Sequence, residues 1–113
     1  MNKDPLHPFV IKILEDYKAI NIESIDVSDM TDIADYMIIC SGTSTRHVQS
    51  IAENLILQAK QHAFNPIGVE GKEQGEWVLV DLGDIIVHIM LPQTREFYSL
   101  EKLWKTAEMA REN

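Results

Sequence analysis

The apolar positions of this chain switch between two periods, and the switches predict an alternation of helices and strands. Near the amino terminus, apolar residues recur at the i, i+3, i+4 and i+7 spacing of an amphipathic helix: Val10, Ile13, Leu14 and Tyr17. Pro8 fits the first turn of this helix, where no backbone N–H is needed. A longer stripe predicts a second helix: Val48, Ile51, Ala52, Leu55, Ala59 and Ala63. The hydroxyls of residues 41–44 suit its N-cap, and Asn65-Pro66 ends it.

Strand-like stretches separate and follow these helices. Residues 22–28 are polar enough to lie near a sheet edge, whereas residues 36–40 are apolar and predict a buried strand. The link between them is short and turn-rich, so we predict that the two strands are antiparallel neighbours. Residues 67–69 predict a third, short strand. Because a helix separates it from strand 36–40, we expect these two strands to pair in parallel through a right-handed crossover.

The clearest element is a hairpin in which residues 76–82 and 85–91 flank the turn Gly83-Asp84. Counting outward from the turn places aliphatic pairs on one face: Leu82 with Ile85, Val80 with Val87, and Val78 with Ile89. The pairs on the other face are Asp81 with Ile86, Leu79 with His88, and Trp77 with Met90. We call this second side of the sheet the mixed face, because it combines apolar bulk with charged and hydrogen-bonding groups.

After the hairpin, which Pro92 closes, apolar residues return to helical spacing: Leu100, Leu103, Trp104 and Ala107. Ser99 is a candidate N-cap for this third helix, and residues 109–113 are expected to fray. A length of 113 residues fits one domain, residues 1–113, that is large enough to fold without a disulfide or a metal. The elements therefore predict a single α/β (α+β) domain.

The charge balance narrows the choice of partners. The chain has 18 Asp and Glu residues against 10 Lys and Arg, a formal net charge of −8. Such a surface repels phosphate backbones, so we expect no direct nucleic-acid specificity and favour a basic protein surface as the partner. Cys40 is the single cysteine, and neither a signal peptide nor a membrane span is recognisable. We therefore expect a cytoplasmic protein.

Candidate catalytic or metal-binding patterns are weak. Asp26, Asp29, Asp32 and Asp35 recur every third residue, but calcium loops need another spacing, so turn formation and capping are favoured. Residues 41–46 could cradle a phosphate, yet the glycine spacing of nucleotide sites is missing and helix capping is favoured. No Asp-x-Asp pair is present for two-metal chemistry, the histidines are scattered, and Cys40 suits a core position. We expect no cofactor, no metal and no enzyme activity.

Three residues of the hairpin region stay open between a structural and a binding role. His88 interrupts an aliphatic strand and is equally consistent with a satisfied structural histidine or with an interface residue. Trp77 would ordinarily be core, but beside Asp81 and His88 it is a candidate anchor of the kind that dominates interfaces. Arg95 could pair with an acidic residue of this chain or with a partner.

Several short motifs follow one another between about residues 22 and 104. They are Ala34-Asp35-Tyr36, Cys40-Ser41-Gly42-Thr43-Ser44-x-Arg46-His47, Gly68-Val69-Glu70-Gly71, Gly75-Glu76-Trp77-x-Leu79-x-Asp81-x-Gly83-Asp84, Val87-His88 and Arg95-x-Phe97-Tyr98-x-Leu100-Glu101-x-Leu103-Trp104. Each alone is weak, but their order and spacing closely resemble the ribosomal silencing factor family, also called the Iojap family. Ala34 departs from the threonine that many members carry, a change that affects only a local cap.

The resemblance implies a mixed five-stranded sheet packed with helices, similar to a nucleotidyltransferase core without its catalytic aspartate pair. It also implies binding to the large ribosomal subunit at protein L-fourteen, where the bound factor blocks joining of the small subunit and represses translation when nutrients are limiting. Members often form homodimers when free.

The mixed face and its neighbours then supply the candidate partner-binding residues: Glu70, Glu76, Trp77, Leu79, Asp81, Leu82, His88, Met90, Arg95 and Tyr98. The acidic residues among these would face a basic ribosomal protein, and the apolar residues would provide buried area. Two other hypotheses remain. A nucleotide-binding enzyme would use the loop of residues 41–46, and an assembly adaptor would hold immature large subunits without silencing them.

Overall fold

The computed structural model describes residues 6–99 and residue 102. The helices are α1 (Leu6–Asp16), α2 (Thr45–Gln61) and α3 (Pro92–Tyr98). The strands are β1 (Ile20–Asp26), β2 (Tyr36–Ser41), β3 (Gly68–Glu70), β4 (Trp77–Asp81) and β5 (Ile85–Met90). They form a mixed five-stranded sheet in the order β1-β2-β5-β4-β3. The predicted α+β architecture is therefore confirmed.

The sheet confirms one predicted pairing and corrects another. β1 and β2 are antiparallel neighbours, as expected from their short link. The parallel partner of β2 is β5, whereas β3 pairs antiparallel with β4 at the edge. The predicted pairing of the second and third strands is therefore wrong. A physical reason is that β5 has apolar residues on both faces and suits the sheet centre, while the three-residue β3 suits an edge.

The hairpin of β4 and β5 has the register that counting from the turn predicts. Val78 lies opposite Ile89, and Leu79 lies opposite His88. The Leu82 N–H donates to the Ile85 carbonyl at 2.9 Å, which closes the two-residue turn. Gly83 adopts a φ of 92°, a left-handed conformation that favours glycine. The assignment of side chains to the two faces is thus confirmed.

Helix α2 begins as predicted and ends earlier. The Ser44 hydroxyl accepts a hydrogen bond from the His47 N–H at 3.1 Å, which confirms the N-cap. The helix stops at Gln61 because Ala63 turns left-handed, with a φ of 66°. The Phe64 N–H then bonds the Ala59 carbonyl at 2.8 Å, so the last turn is closed before the chain reaches Pro66.

Helix α3 was not predicted. Pro92, expected only to close the hairpin, stands at the start of this helix, a position that suits its missing N–H. Ser99, expected to cap a following helix, ends α3 in a left-handed conformation with its N–H bonded to the Arg95 carbonyl. At seven residues α3 is too short to show an apolar stripe. The predicted helix through Leu100, Leu103, Trp104 and Ala107, and the expected fraying of residues 109–113, lie outside the described residues.

The two faces of the sheet are covered differently. Helices α1 and α2 pack on one face, and their buried residues join those of the strands in the main core. The strand residues in this core are Ile38, Cys40, Val78, Val80, Ile85, Val87 and Ile89. The mixed face carries a smaller buried cluster of Ile25, Val27, Met37, Ile39 and Met90. The candidate site lies on this second face.

Candidate partner-binding face

The mixed face changes from buried to accessible across the sheet. On its β1, β2 and β5 side, aliphatic and methionine side chains are buried together. On its β4 and β3 side, Trp77, Leu79 and Asp81 are half-buried and Glu70 is exposed. β3 is a short edge strand, and within residues 6–99 no further strand lies beyond it to cover these residues. The accessible part of the face is therefore concentrated at one edge.

Six accessible residues form what we call the aromatic-acidic patch: Glu70, Leu79, Asp81 and Trp77 on this edge of the mixed face, Glu76 directly before Trp77 in the chain, and Tyr98 packed against Trp77. The strand register places Glu70 opposite Leu79 on the same face. Asp81 accepts a hydrogen bond from the Gly83 N–H at 2.9 Å, so its carboxylate is fixed beside the hairpin turn. The patch thus joins aromatic surface with carboxylates, two of which lie on strand residues.

An aromatic cluster forms the centre of the patch. The Trp77 ring lies 4.8 Å from the Tyr98 ring, centroid to centroid, at an interplanar angle of 51°. Tyr98 in turn makes an edge contact with Phe97, at 4.9 Å and 87°. These geometries are favoured for aromatic pairs. Tyr98 remains 55% exposed, so the cluster has both a packed side and a free side.

His88 lies beneath this cluster. The indole Nε1–H of Trp77 donates to Nδ1 of His88 at 2.9 Å. The imidazole is only 4% exposed. Desolvation of the charged form lowers the pKa of His88 to about 4, so the ring is neutral near pH 7. A neutral ring that accepts at Nδ1 carries its proton at Nε2.

Arg95 connects α3 to the sheet. Its Nη1 donates to the Ser41 hydroxyl at 3.0 Å, in a buried contact at the end of β2. The sequence left Arg95 open between an internal and a partner contact, and its burial places it among the internal ones. Since Tyr98 lies three residues further along α3, this contact also helps to hold Tyr98 against Trp77.

The candidate residues from the sequence fall into three groups. Glu70, Glu76 and Tyr98 are exposed, and Trp77, Leu79 and Asp81 are half-buried. The remaining four are buried: Leu82, His88, Met90 and Arg95. Leu82 belongs to the core under α1 and α2, and Met90 lies in the small cluster of the mixed face. Burial leaves these four side chains little surface for direct contact, and their part in partner binding stays a prediction.

Sequence reasoning missed one exposed aromatic residue. Phe97 is 80% exposed and borders Tyr98. Its signal in the sequence was the dipeptide Phe97-Tyr98 shortly after Pro92, but the helix that presents it was not predicted. An exposed phenylalanine beside Tyr98 enlarges the apolar area at this edge of the molecule.

The loop between β3 and β4 is fixed by contacts with Trp77 and with α2, and it leads into the patch. Gly71 has a φ of 83°, and a Cβ at this position would lie 2.1 Å from the Trp77 carbonyl oxygen. The side-chain amide of Gln49 donates to the carbonyls of Lys72 and Glu73 at 3.0 and 2.9 Å. The loop is therefore tied to α2, and only glycine fits where it passes Trp77.

The loop of residues 41–46, considered as a phosphate cradle, uses its polar groups internally. The Thr43 N–H donates to Nδ1 of His47 at 2.8 Å. The other ring nitrogen of His47 donates to the Tyr17 carbonyl at 3.0 Å. Together with the Ser44 cap, these contacts confirm the predicted helix capping, while the Ser41 hydroxyl accepts from Arg95.

The remaining candidate chemistry has local explanations. Asp26 accepts from the N–H and the hydroxyl of Ser28 at 3.0 and 2.6 Å, as a turn-forming aspartate does. Burial raises the pKa of the Cys40 thiol to about 12, against a smaller opposing influence of Arg95, so the reactive thiolate is disfavoured. Within residues 6–99, no group of three or more His, Cys, Asp or Glu side chains is arranged to hold a metal ion.

The fold and the mixed face together define a small α+β protein in which a partly accessible aromatic and acidic surface lies beside a buried core. The chain belongs to the ribosomal silencing factor family: the family described as "Ribosomal silencing factor during starvation" matches residues 3–113. The members of this family are regulatory proteins associated with the ribosome.

Relatives in two bacteria and in mouse support the assignment. The chain is 47% identical over 96 residues to the ribosomal silencing factor of Haemophilus influenzae, covering 85% of this chain and 94% of that protein. It is 36% identical over 110 residues to the one from Bacillus subtilis, covering 97% and 93%. A mouse protein named "Mitochondrial assembly of ribosomal large subunit protein 1" is 38% identical, and the match covers 84% of this chain and 43% of the mouse protein.

Solved structures share the fold. A crystal structure of a Chromobacterium violaceum protein superimposes with a TM-score of 0.88 at 39% identity, covering 93% of this chain and 88% of that one. A Bacillus halodurans structure gives a TM-score of 0.81 at 35% identity, covering 88% and 92%. Across the described part of the present chain, no helix is both long enough and apolar enough to span a membrane.

Proposed function

We propose that this protein binds the large ribosomal subunit through ribosomal protein L-fourteen and blocks association with the small subunit, and so represses translation when nutrients are limiting. Family membership supports the ribosomal role. The observation that carries the choice of surface is the aromatic-acidic patch, where Trp77 and Tyr98 stack beside accessible carboxylates. We further propose that the protein acts in the cytoplasm.

The chemistry of the patch suits a basic protein partner. Glu70 and Glu76 are exposed, and the chain as a whole carries a formal net charge of −8. Opposite charges on a ribosomal protein would accelerate encounter and fix the orientation of docking. The same net charge disfavours direct association with ribosomal RNA. The patch therefore supports a protein contact rather than a nucleic-acid contact.

The apolar part of the patch supplies the anchor. Tryptophan and tyrosine are enriched among the residues that contribute most to binding energy, especially where neighbouring residues exclude water from them. Trp77 is half-buried before any partner arrives, so less conformational freedom is lost when it docks. We expect Trp77 to be the largest single contributor.

A steric block requires occupancy and no catalysis. A domain of 113 residues seated on the surface where the subunits meet would collide with the incoming small subunit. We therefore propose that the protein is not an enzyme and needs neither cofactor nor metal. We further propose that free copies form a homodimer, which sedimentation velocity over a concentration series would detect as a shift in mass.

The deciding experiment is a subunit-joining assay. Purified protein in excess is mixed with separated large and small subunits, and the products are resolved on a sucrose gradient. We expect the protein to sediment with the large subunit while the joined ribosome decreases. Complete joining in the presence of bound, excess protein would contradict the proposed silencing.

Replacement of Trp77 tests the patch within the same assay. We expect Trp77→Ala to weaken binding to the large subunit by more than about 1 kcal/mol, the range of an anchor residue. Leu57→Ala is the control, because Leu57 is a large apolar residue with accessible surface, 53% exposed, that lies on α2 on the opposite side of the sheet. A folded Trp77→Ala protein that binds as tightly as the Leu57→Ala protein would remove Trp77 from the contact.

A second candidate is an assembly adaptor that holds immature large subunits. It is favoured by the similarity to the mouse protein whose name refers to assembly of the ribosomal large subunit. The same gradients separate the two functions. Binding to the large subunit without a decrease in joined ribosomes would favour the adaptor.

A further inference from the structure

We infer that His88 is a positioning residue, which fixes the Trp77 indole in the orientation that the partner recognises. This inference rests on the proposed function, because it takes Trp77 as the anchor. His88 itself is buried and lies under the patch, so its effect on binding is transmitted through Trp77.

The geometry leaves Trp77 held on two sides. On the sheet side, its single N–H donates to Nδ1 of His88 at 2.9 Å. On the α3 side, its ring packs against Tyr98 at 4.8 Å. The torsion that turns an aromatic ring about its attachment has a broad, roughly two-fold preference, so packing alone permits more than one orientation of the ring. The hydrogen bond distinguishes the two edges of the indole and selects one of them.

The same contact explains why a histidine interrupts an aliphatic strand. Leu79 lies opposite His88 on β4, and Ile39 lies opposite it on β2, so its strand neighbours on this face are apolar. At this part-buried position, a Trp77 N–H without an acceptor would lose a hydrogen bond without a full replacement. His88 supplies that acceptor and also fills the volume of a large side chain. An aliphatic residue would fill the space but would supply no acceptor.

A pair of variants separates the acceptor from the volume. Asparagine and leucine have the same number of heavy atoms in the same branched shape, and the asparagine side chain places a carbonyl oxygen near the position of Nδ1. Both His88→Asn and His88→Leu remove the ring, but leucine fills the volume of histidine while the smaller asparagine does not, so a packing defect alone would harm His88→Asn more. Only His88→Asn retains an acceptor for the Trp77 N–H.

The first measurement follows the indole N–H in the free protein, without ribosomes. In ¹⁵N-labelled protein, Trp77→Phe assigns the Trp77 indole signal, which the second tryptophan would otherwise leave ambiguous. We expect slow exchange of this N–H with solvent in wild type and in His88→Asn, and exchange at least about fivefold faster in His88→Leu, since an unmade buried hydrogen bond destabilises the closed state.

The second measurement is binding to the large subunit. We expect His88→Leu to weaken binding at least about fivefold, and His88→Asn to remain within about threefold of wild type. In a Trp77→Ala background, His88→Leu should have almost no additional effect on binding, because the residue through which it acts is gone. Rescue by asparagine and loss of the effect in that background are results that general destabilisation of the fold would not give.

A third measurement uses only the wild-type protein, so it is informative even if the variants fail to fold. In the wild-type protein, the hydrogen bond predicts a scalar coupling between Trp77 Nε1 and His88 Nδ1. Absence of that coupling together with fast exchange of the indole N–H would overturn the inference, as would equal binding by folded His88→Leu and wild-type proteins. If instead Trp77→Ala binds normally, the proposed contact fails, while the exchange data still decide whether His88 orients the indole.

Discussion

The two faces of one sheet show how differently the same strands can be used. On the face under α1 and α2, the buried strand residues are aliphatic, apart from Cys40, and belong to one continuous core. On the mixed face, burial is complete only around Met37, Ile39 and Met90 and decreases toward β3. The first face is stabilised by the removal of apolar surface from water. The second also depends on particular polar contacts.

Those polar contacts occur where the mixed face approaches solvent. Trp77 donates to His88, Arg95 donates to Ser41, and the carboxylate of Asp81 accepts from a turn N–H. Each contact fixes a side chain that apolar packing alone would leave less constrained. The comparison teaches that the covered face provides stability, whereas the mixed face uses some of its residues to hold a surface ready for a partner.

The largest expected effect tests the difference in burial within a single strand. Ile89 and Ile86 both lie on β5, but Ile89 is fully buried in the main core and Ile86 is half-buried on the mixed face. We expect Ile89→Ala to lower the free energy of unfolding by about 2–5 kcal/mol, as truncations in packed cores do. Ile86→Ala should cost less than half as much. Urea denaturation of the two variants gives both values.

Both substitutions remove the same atoms from the same strand, so the comparison controls for side-chain chemistry and backbone propensity. Equal losses of stability would show that the mixed face is packed as firmly as the covered one. The distinction between the two faces would then fail.

The next effect concerns the pH dependence of stability. Burial lowers the pKa of His88 from 6.5 to about 4, so between these values the unfolded chain binds a proton that the folded chain does not. Stability from this group is complete above pH 6.5 and decreases as the pH falls toward about 4. The total change is roughly 3 kcal/mol. Denaturation of wild type at several pH values should show this decrease.

The control is His88→Asn, which removes the titrating ring and keeps an acceptor. Any pH dependence that does not involve residue 88 is common to both proteins and cancels in their difference. We therefore expect the difference in stability between wild type and variant to change with pH only in the window of the histidine. If the free energies of unfolding of wild type and His88→Asn changed with pH in parallel, His88 would have the same pKa in the folded and unfolded chain.

A smaller effect is expected in the loop that bears the patch. Gly71→Ala places a Cβ against the Trp77 carbonyl and requires a left-handed conformation, and we expect a loss of about 2 kcal/mol or more. Gly68→Ala is the matched control on the same edge, since a Cβ there meets no atom within 4 Å. Thermal unfolding measures both. A neutral Gly71→Ala would mean that the loop can leave Trp77 without penalty.

The division of the hairpin residues between two faces was predictable because it follows from counting residues outward from the turn. The turn at Gly83-Asp84 sets the register, and strand side chains alternate strictly, so Val78 and Trp77 had to point in opposite directions. The order of the strands was not predictable in the same way. Whether β5 or β3 lies beside β2 depends on which strand fills the sheet centre, a tertiary choice that no local pattern expresses.

The candidate site was predictable as a face but not as a list of accessible residues. Accessibility depends on α3, whose single buried residue is Arg95, so no apolar periodicity marks it. The same helix supplies Tyr98 as the neighbour of Trp77. Burial of His88 and Met90 results from these contacts and from the cluster around Met37, all of which join residues far apart in the sequence.

The smallest effect concerns charge at the margin of the patch. Glu76 is exposed and immediately precedes Trp77, so Glu76→Gln should weaken binding to the large subunit by less than about 1 kcal/mol, mainly through slower association. The effect should diminish as salt is raised, because exposed charges are screened. Glu15→Gln removes the same charge from the exposed side of α1 and serves as the control for net charge. Association rates measured by surface plasmon resonance at low and high salt distinguish the two. Equal changes for both variants would mean that overall acidity, rather than the position of the carboxylates beside Trp77, governs recognition.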